Sequence, residues 1–153
     1  MIRKKNITLF FIIFFLYGCG YTPIYKDLKN SNFSIVTNQF SGERKINNKI
    51  ISILKNYKND NSNNIFEISF KSEYKKNIIA KDSTGAATEY KVIIQVKFNV
   101  SSPNQKKEFK YTESFNMQSF SDKLEEQDYE DSIKDSLTNI ITRKLILQLS
   151  QLK

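Results

Sequence analysis

This sequence of 153 residues contains no histidine and no tryptophan, and only one cysteine, two prolines and four glycines. The absence of histidine removes the commonest general base and a frequent metal ligand. A single cysteine cannot form an internal disulfide, and four scattered glycines provide no phosphate-binding loop. The composition therefore disfavours an enzyme, and we expect neither a cofactor nor a metal site.

The charges are moderately unbalanced, with 24 basic residues against 16 acidic ones. They are scattered along the chain, whereas a nucleic-acid-binding protein typically clusters its basic residues in a stripe. We therefore expect no nucleic-acid partner. Anionic lipid head groups or phosphorylated glycolipids are the alternative partners, and simple solubility explains the excess of lysine equally well.

The first twenty residues have the pattern of an export signal. Arg3, Lys4 and Lys5 precede an apolar run over residues 7–16, which ends in Leu16-Tyr17-Gly18-Cys19. A bilayer-spanning helix needs about 20 apolar residues, so this run is too short to span, and it predicts a cleaved signal. The Leu-Tyr-Gly-Cys end resembles the lipobox of bacterial lipoproteins, which implies cleavage before Cys19 and its acylation. The expected divisions are a signal peptide over 1–18, a lipidated tether over 19–32 and a domain over 33–153.

The rest of the chain changes twice between strand and helix periodicity. Phe33 to Thr37 alternates as a short strand, and a helix opening at Ser41 or Gly42 follows, with an apolar stripe from which Ile51 deviates. Alternation with a period of two then marks three strands, within 65–78, 90–100 and 109–117. Asp122 and Glu125 resemble a capping box at the start of a long final helix.

The order is therefore βαβββα, and each strand has one apolar face. Two amphipathic helices are available to cover it, which predicts an α+β fold: a two-layer sandwich of a four-stranded mixed sheet with both helices on one face. The other face of the sheet should remain polar. Acidic residues near the start of the last helix are interpreted as favourable for a helix N-terminus, because they complement the helix dipole.

Three stretches carry a family resemblance: the opening over residues 18–25 (GCGYTPIY), the strand entry over 85–92 (GAATEYKV) and the late helix over 140–145 (IITRKL). They resemble the LptE family of lipopolysaccharide-assembly lipoproteins, especially its alphaproteobacterial branch. The resemblance implies a non-enzymatic lipoprotein at the periplasmic side of the outer membrane, held there by a lipid anchor. It also implies LptD as partner, a β-barrel that this protein would plug and help to assemble for lipopolysaccharide insertion.

Direct contact with lipopolysaccharide phosphates is a further expectation, and the candidate residues are Lys75, Lys76, Lys81, Lys91 and Lys97. A solvated, solubilising face is the competing interpretation for each of them. Two other functions remain open at this stage: an auxiliary lipoprotein of an ABC-type lipid transporter, and a periplasmic hydrolase that uses paired carboxylates.

Overall fold

The computed structural model describes residues 33–60 and 62–152. The predicted signal peptide and tether, including Cys19, lie outside these residues. The strands are β1 (Ser34–Gly42), β2 (Ile65–Lys81), β3 (Ala87–Ser102) and β4 (Gln105–Gln118). The helices are α1 (Arg44–Leu54), which continues into a 3₁₀ turn over Lys55–Tyr57, and α2 (Lys123–Ser150).

The four strands form one mixed sheet in the order β1-β2-β3-β4. Strands β2, β3 and β4 are antiparallel neighbours, joined by a turn over residues 82–86 and by the two-residue connection Pro103-Asn104. Strand β1 pairs with β2 in parallel, and such a pair requires a crossover, which α1 supplies. The predicted βαβββα order and the mixed four-stranded sheet are confirmed.

One face of the sheet forms the core with the two helices. Alternate residues of β2 and β3 point inward and are buried: Phe66, Ile68, Phe70, Val92, Ile94, Val96, Phe98 and Val100. The helices contribute buried apolar side chains at helical spacing, which are Ile46, Ile50 and Leu54 from α1 and Ile133, Leu137, Ile141, Leu145 and Leu149 from α2. Burial of apolar area drives this arrangement, because each side chain of this size stabilises by roughly 1.5–3 kcal/mol when removed from water.

The N-terminal caps fix where the helices begin. The Asp122 carboxylate accepts hydrogen bonds from the N–H groups of Leu124 and Glu125, at 2.8 and 3.3 Å, so the predicted N-cap is confirmed. Helix α1 is capped by Glu43, whose carboxylate accepts from the Ile46 N–H at 2.7 Å. Among the described residues, no helix is both long and apolar enough to cross a membrane.

The first strand is longer than the sequence predicts. It continues past Thr37 to Gly42, so α1 begins at Arg44 and not at Ser41 or Gly42. The alternation of side chains ends early because β1 has one extra residue relative to β2: Thr37 pairs with Ile68, but the next pair is Phe40 with Phe70. Such a bulge breaks the two-residue period without ending the strand.

Candidate functional site

The candidate site is the sheet face that neither α1 nor α2 covers, here called the open face. Its side chains are the alternate residues of β2 and β3 that point away from the core, as the pairings Lys71 with Lys97 and Asn77 with Lys91 require. From β2 these are Ile65, Glu67, Ser69, Lys71, Glu73, Lys75 and Asn77, and from β3 they are Lys91, Ile93, Gln95, Lys97 and Asn99. Two of them are apolar: Ile65, which is 44% exposed at the start of β2, and Ile93 in the middle of β3. The rest of the open face is hydrophilic along both central strands.

Ion pairs occupy part of the open face. Lys71 lies 3.0 Å from Glu73, and Lys97 lies 2.8 Å from Glu108 of β4. The hydrogen bond from Lys71 lowers the pKa of the exposed Glu73 carboxyl. Lys75 and Lys91 form no salt bridge with the described residues, so their ammonium groups are available to an external anion.

Two shallow hollows on the open face meet at the β1 side of the sheet. The first has a volume of about 560 Å³, and its walls include Asn38, Gln39, Ser69, Lys71 and Lys97. The second has the same volume and shares Asn38, Ser69 and Asn99 with the first. Amides, hydroxyls and ammonium groups are hydrogen-bonding groups suited to water, sugars or phosphates, and no nucleophile–base arrangement accompanies them. The lining of the hollows is therefore suited to binding polar groups.

The five lysines predicted to contact lipopolysaccharide do not lie together. Lys75, Lys91 and Lys97 are exposed on the open face, and Lys81 is exposed at the end of β2, beside the turn to β3. Lys76 lies on the opposite face of the sheet, in the row that points towards the helices. Lipopolysaccharide contact by these residues stays a prediction, and Lys76 has a different environment from the other four.

Lys76 joins the end of the sheet to the first turns of α2. Its ammonium lies 3.1 Å from the Glu126 carboxylate and 2.8 Å from that of Glu130. The same ammonium sits over the Tyr90 ring, 4.1 Å from the ring centroid, which is cation–π geometry. Lys134 completes the cluster with a salt bridge of 2.7 Å to Glu130. We call these four charged residues the Lys76 cluster.

The carboxylates of the Lys76 cluster are held in the ionised form. Burial alone would favour protonation of Glu126, but hydrogen bonds from the Phe120 N–H, Lys76, Ser119 and Lys123 outweigh it and lower its pKa to about 2. Burial likewise opposes ionisation of Glu130, yet Lys134, Lys76 and the Tyr74 hydroxyl lower its pKa to about 2. Burial and the bond to Glu130 raise the pKa of Tyr74. The cluster is therefore an ion-pair network that links β2 to α2.

Sequence reasoning did not find this cluster. It interpreted Glu126 and Glu130 as part of an acidic helix opening, although Glu126 is only 6% exposed. A usable signal was Lys76 itself, which occupies the inward phase of β2 two residues after Tyr74 and four after Ser72. A charged residue in the buried phase of a strand needs a paired charge, since burying an isolated ammonium costs a great deal of free energy.

The described residues contain no group of three or more His, Cys, Asp or Glu side chains placed to hold a metal ion. Fold and open face together define a class: a small α+β domain that packs both helices on one side of a mixed sheet and presents a hydrophilic pleated surface on the other.

The chain matches the model of the LptE family, described as Lipopolysaccharide-assembly, over residues 30–149, and it belongs to that family. Family membership gives the protein a role in lipopolysaccharide assembly, with partners from lipopolysaccharide transport and an association with the outer membrane as a lipoprotein. No curated protein sequence matches the chain.

Among solved structures, rare lipoprotein B from Shewanella oneidensis superposes with a TM-score of 0.59 at 16% identity, covering 76% of this chain and 90% of its own. That likeness shows the fold. An uncharacterized lipoprotein B from Nitrosomonas europaea has a TM-score of 0.49 at 12% identity, covering 78% of this chain and 86% of its own. A putative lipoprotein from Caulobacter crescentus has a TM-score of 0.48 at 10% identity, covering 82% and 94%.

Proposed function

We propose that this protein is a lipid-anchored plug of the outer-membrane barrel LptD, which it helps to assemble for the insertion of lipopolysaccharide into the outer leaflet. The observation that carries the proposal is the division of the sheet into two unlike faces. The inward face is filled by the helices, whereas the open face is mostly polar along both central strands, with Ile65 and Ile93 as the apolar exceptions.

A polar face of this kind suits the interior of a large barrel. The lumen of an outer-membrane barrel is polar and water-filled, so a plug must present hydrogen-bonding groups to it and not an apolar surface. Lys75, Gln95 and Asn99 offer donors and acceptors that water can bridge to a barrel wall. Such wet interfaces bind well without a large apolar core, because bridging waters replace direct hydrogen bonds at small cost.

The anchor is the second part of the proposal. Acylation of Cys19 after removal of residues 1–18 would attach the domain to the membrane through the tether 19–32. One acyl chain binds a membrane only marginally, whereas several chains anchor it stably. The lipobox-like end of the signal supports this modification, and the outer membrane, facing the periplasm, is the proposed location.

Contact with lipopolysaccharide phosphates is proposed for four lysines, namely Lys75, Lys81, Lys91 and Lys97. An ammonium–phosphate pair is a charge-assisted hydrogen bond, which is about twice as strong as a neutral one. Lys97 has a carboxylate partner already, so its contact requires exchange of Glu108 for phosphate. Lys76 would act only indirectly, by holding α2 against the sheet, because two carboxylates occupy its ammonium.

We also infer that the role is non-enzymatic. The two carboxylates that share Lys76, those of Glu126 and Glu130, are paired with lysines and have lowered pKa values. A general acid at neutral pH needs a raised pKa instead. These acids therefore support a structural role and not the hydrolase considered from sequence.

The test is site-specific photocrosslinking combined with affinity purification of the tagged full chain. A photoreactive residue at Gln95, in the centre of the open face, should crosslink to lumen-facing positions of LptD. The matched control places the same photoreactive residue at position 140 on α2, where Ile140 is 39% exposed. Equal crosslinking from both positions would contradict use of the open face. Recovery of inner-membrane transporter components without LptD would instead favour the auxiliary lipoprotein of an ABC-type lipid transporter.

A further inference from the structure

The two edges of the sheet are unlike each other. Strand β4 has five charged residues, which are Lys106, Lys107, Glu108, Lys110 and Glu113, while β1 has none between Ser34 and Gly42. Natural proteins protect edge strands with charges, prolines or bulges, because an unpaired edge is a template for another strand. Strand β1 has a single bulge at residues 38–39 and no charge, so within residues 33–60 and 62–152 its regular portion before the bulge is an edge without these protections.

An apolar groove runs beside this edge, between β1 and α1. Its volume is about 220 Å³, and its apolar lining includes Ile35, Phe40, Ile51 and Leu54. The position of Ile51, which deviates from the apolar stripe of α1, is accounted for here because its side chain forms one wall of the groove. Phe40 remains 50% exposed and Val36 39% exposed along the same edge.

The charges around the groove indicate what would occupy it. Lys55 and Lys58 form part of its lining. Lys55 makes no salt bridge with the described residues, and Lys58 has only a loose pair of 3.4 Å with Asp60, in which both side chains are well exposed. A second copy of this chain, paired edge to edge, would bring two further lysines to the same groove. Acidic side chains complement this surface, whereas a second copy would repel it.

We propose that β1 accepts an extended segment of a partner protein as an additional strand, in which apolar and acidic side chains follow one another at every second residue, on the face that points to the groove. Backbone hydrogen bonds to β1 would provide affinity, an apolar side chain would fill the groove over Ile51, and an acidic one would meet Lys55 and Lys58. Recognition by strand addition works in this way, with pockets selecting alternate side chains. The edge is separate from the open face, so this inference stands or falls independently of the barrel-plug function.

The experiment measures peptide binding to the full chain in detergent micelles by fluorescence anisotropy. The probe is a fluorescein-labelled peptide, Thr-Val-Thr-Glu-Thr-Val-Thr-Glu-Thr, which has its valines and glutamates on one face when extended, and saturable binding is expected. Lys55→Glu combined with Lys58→Glu should weaken it at least tenfold, while the matched control Lys107→Glu on the exposed β4 edge should not.

Several results would overturn the proposal. Equal binding of a peptide with N-methylated alternate amides would mean that no backbone ladder forms. Equal binding of the peptide with lysine in place of glutamate would remove the charge argument, and no saturable binding at millimolar peptide would remove the site. If Ile51→Asp abolished the binding of a fluorescent fatty acid but left peptide binding unchanged, the groove would be an acyl-chain site and not a peptide site. Dimers that Val36→Lys dissociates would make a second copy the occupant.

Discussion

The Ser72 hydroxyl donates a hydrogen bond of 2.6 Å to the Asn47 side-chain oxygen, in the buried layer between β2 and α1. Both residues are almost inaccessible, at 1% and 4% exposure. The same hydroxyl accepts a hydrogen bond of 3.0 Å from the Glu43 N–H. One small polar side chain of the sheet therefore fixes both the cap residue and the first turn of the crossover helix.

Replacing Ser72 by alanine should lower the free energy of unfolding by about 1–3 kcal/mol, because it leaves a buried donor and a buried acceptor without partners. Urea denaturation followed by circular dichroism measures this. The double variant Ser72→Ala with Asn47→Leu is the control, since it removes both partners, and it should recover part of the loss. If the double variant lost as much free energy of unfolding as the two single variants together, the two side chains would not be coupled.

Glycine is required at position 42 for two reasons that can be separated. Gly42 has a φ of +105°, and a Cβ there would lie 1.9 Å from the Ser72 carbonyl oxygen. Gly85 has a φ of +87°, but a Cβ there meets nothing within 4 Å. Gly85→Ala should therefore cost only the backbone strain, on the order of 1–2 kcal/mol.

Gly42→Ala should cost clearly more than Gly85→Ala, because β1 and β2 must move apart to admit the methyl group. Thermal unfolding of the two variants side by side provides the comparison. Equal melting temperatures would mean that the backbone at Ser72 yields without cost.

Acid should destabilise the fold through the Lys76 cluster. Glu126 and Glu130 have folded pKa values of about 2, below the ordinary value of 4.5. A lowered folded pKa stabilises the protein at pH values above 4.5, and this contribution is lost as the pH falls from about 4.5 towards 2. Because both carboxylates share Lys76, their effects are coupled and should not add.

The measurement is the free energy of unfolding at several pH values between 2 and 7. Glu126→Gln should flatten the acid limb of this curve, since one of the two titrating groups is gone. An unchanged acid limb in that variant would contradict the role assigned to Glu126.

The same substitution should change the free energy of unfolding much more at Lys76 than at the neighbouring Lys75. Lys76→Met removes the shared partner of two poorly exposed carboxylates, and breaking a buried pair costs about 3–5 kcal/mol, with the lower end fitting a side chain that is 23% exposed. Lys75→Met should leave stability within about 0.5 kcal/mol, as surface substitutions do.

Binding to lipopolysaccharide micelles distinguishes the two residues further. Under the proposed contact, Lys75→Met should weaken binding, more so at low salt, where exposed charges are least screened. A loss of binding only in Lys76→Met, and only in proportion to unfolding, would remove the open face from lipopolysaccharide recognition.

Changing Cys19 to alanine should abolish acylation and leave the precursor uncleaved. Metabolic labelling with radioactive palmitate, followed by gel mobility, tests this directly. The matched control is Gly20→Ala, which keeps the modified residue. Label in the Cys19→Ala protein would refute the lipobox interpretation of residues 16–19.

The strands with clean alternation were predictable, and the reason is visible in β3. Tyr90 to Val100 alternate without a bulge, so the apolar residues at every second position from Val92 to Val100 reach the core, whereas Lys91, Gln95 and Lys97 reach the open face together with the exception Ile93. The end of β1 was not predictable in this way, because the extra residue at the bulge shifts the phase after Thr37. Periodicity identifies a face only while the pleat is regular.

The Lys76 cluster shows a second limit. Its members lie on β2 and α2, far apart in sequence, and a local pattern contains no information on which distant charges meet. Glu126 is therefore indistinguishable by sequence from the exposed Glu125 beside it. What separates them is the 100° turn per helical residue, which directs only one of the two at the sheet.

The parallel pairing of β1 with β2 also bears on the order of folding. The meander closes locally, since β3 and β4 are separated by Pro103 and Asn104 alone, whereas Ser34 pairs with Ile65 across the whole crossover. Closing the longer loop costs more chain entropy and delays the contact. We therefore expect β1 to dock last, so that during maturation the strand nearest the N-terminal end of the domain is the last to lose its solvent-exposed backbone.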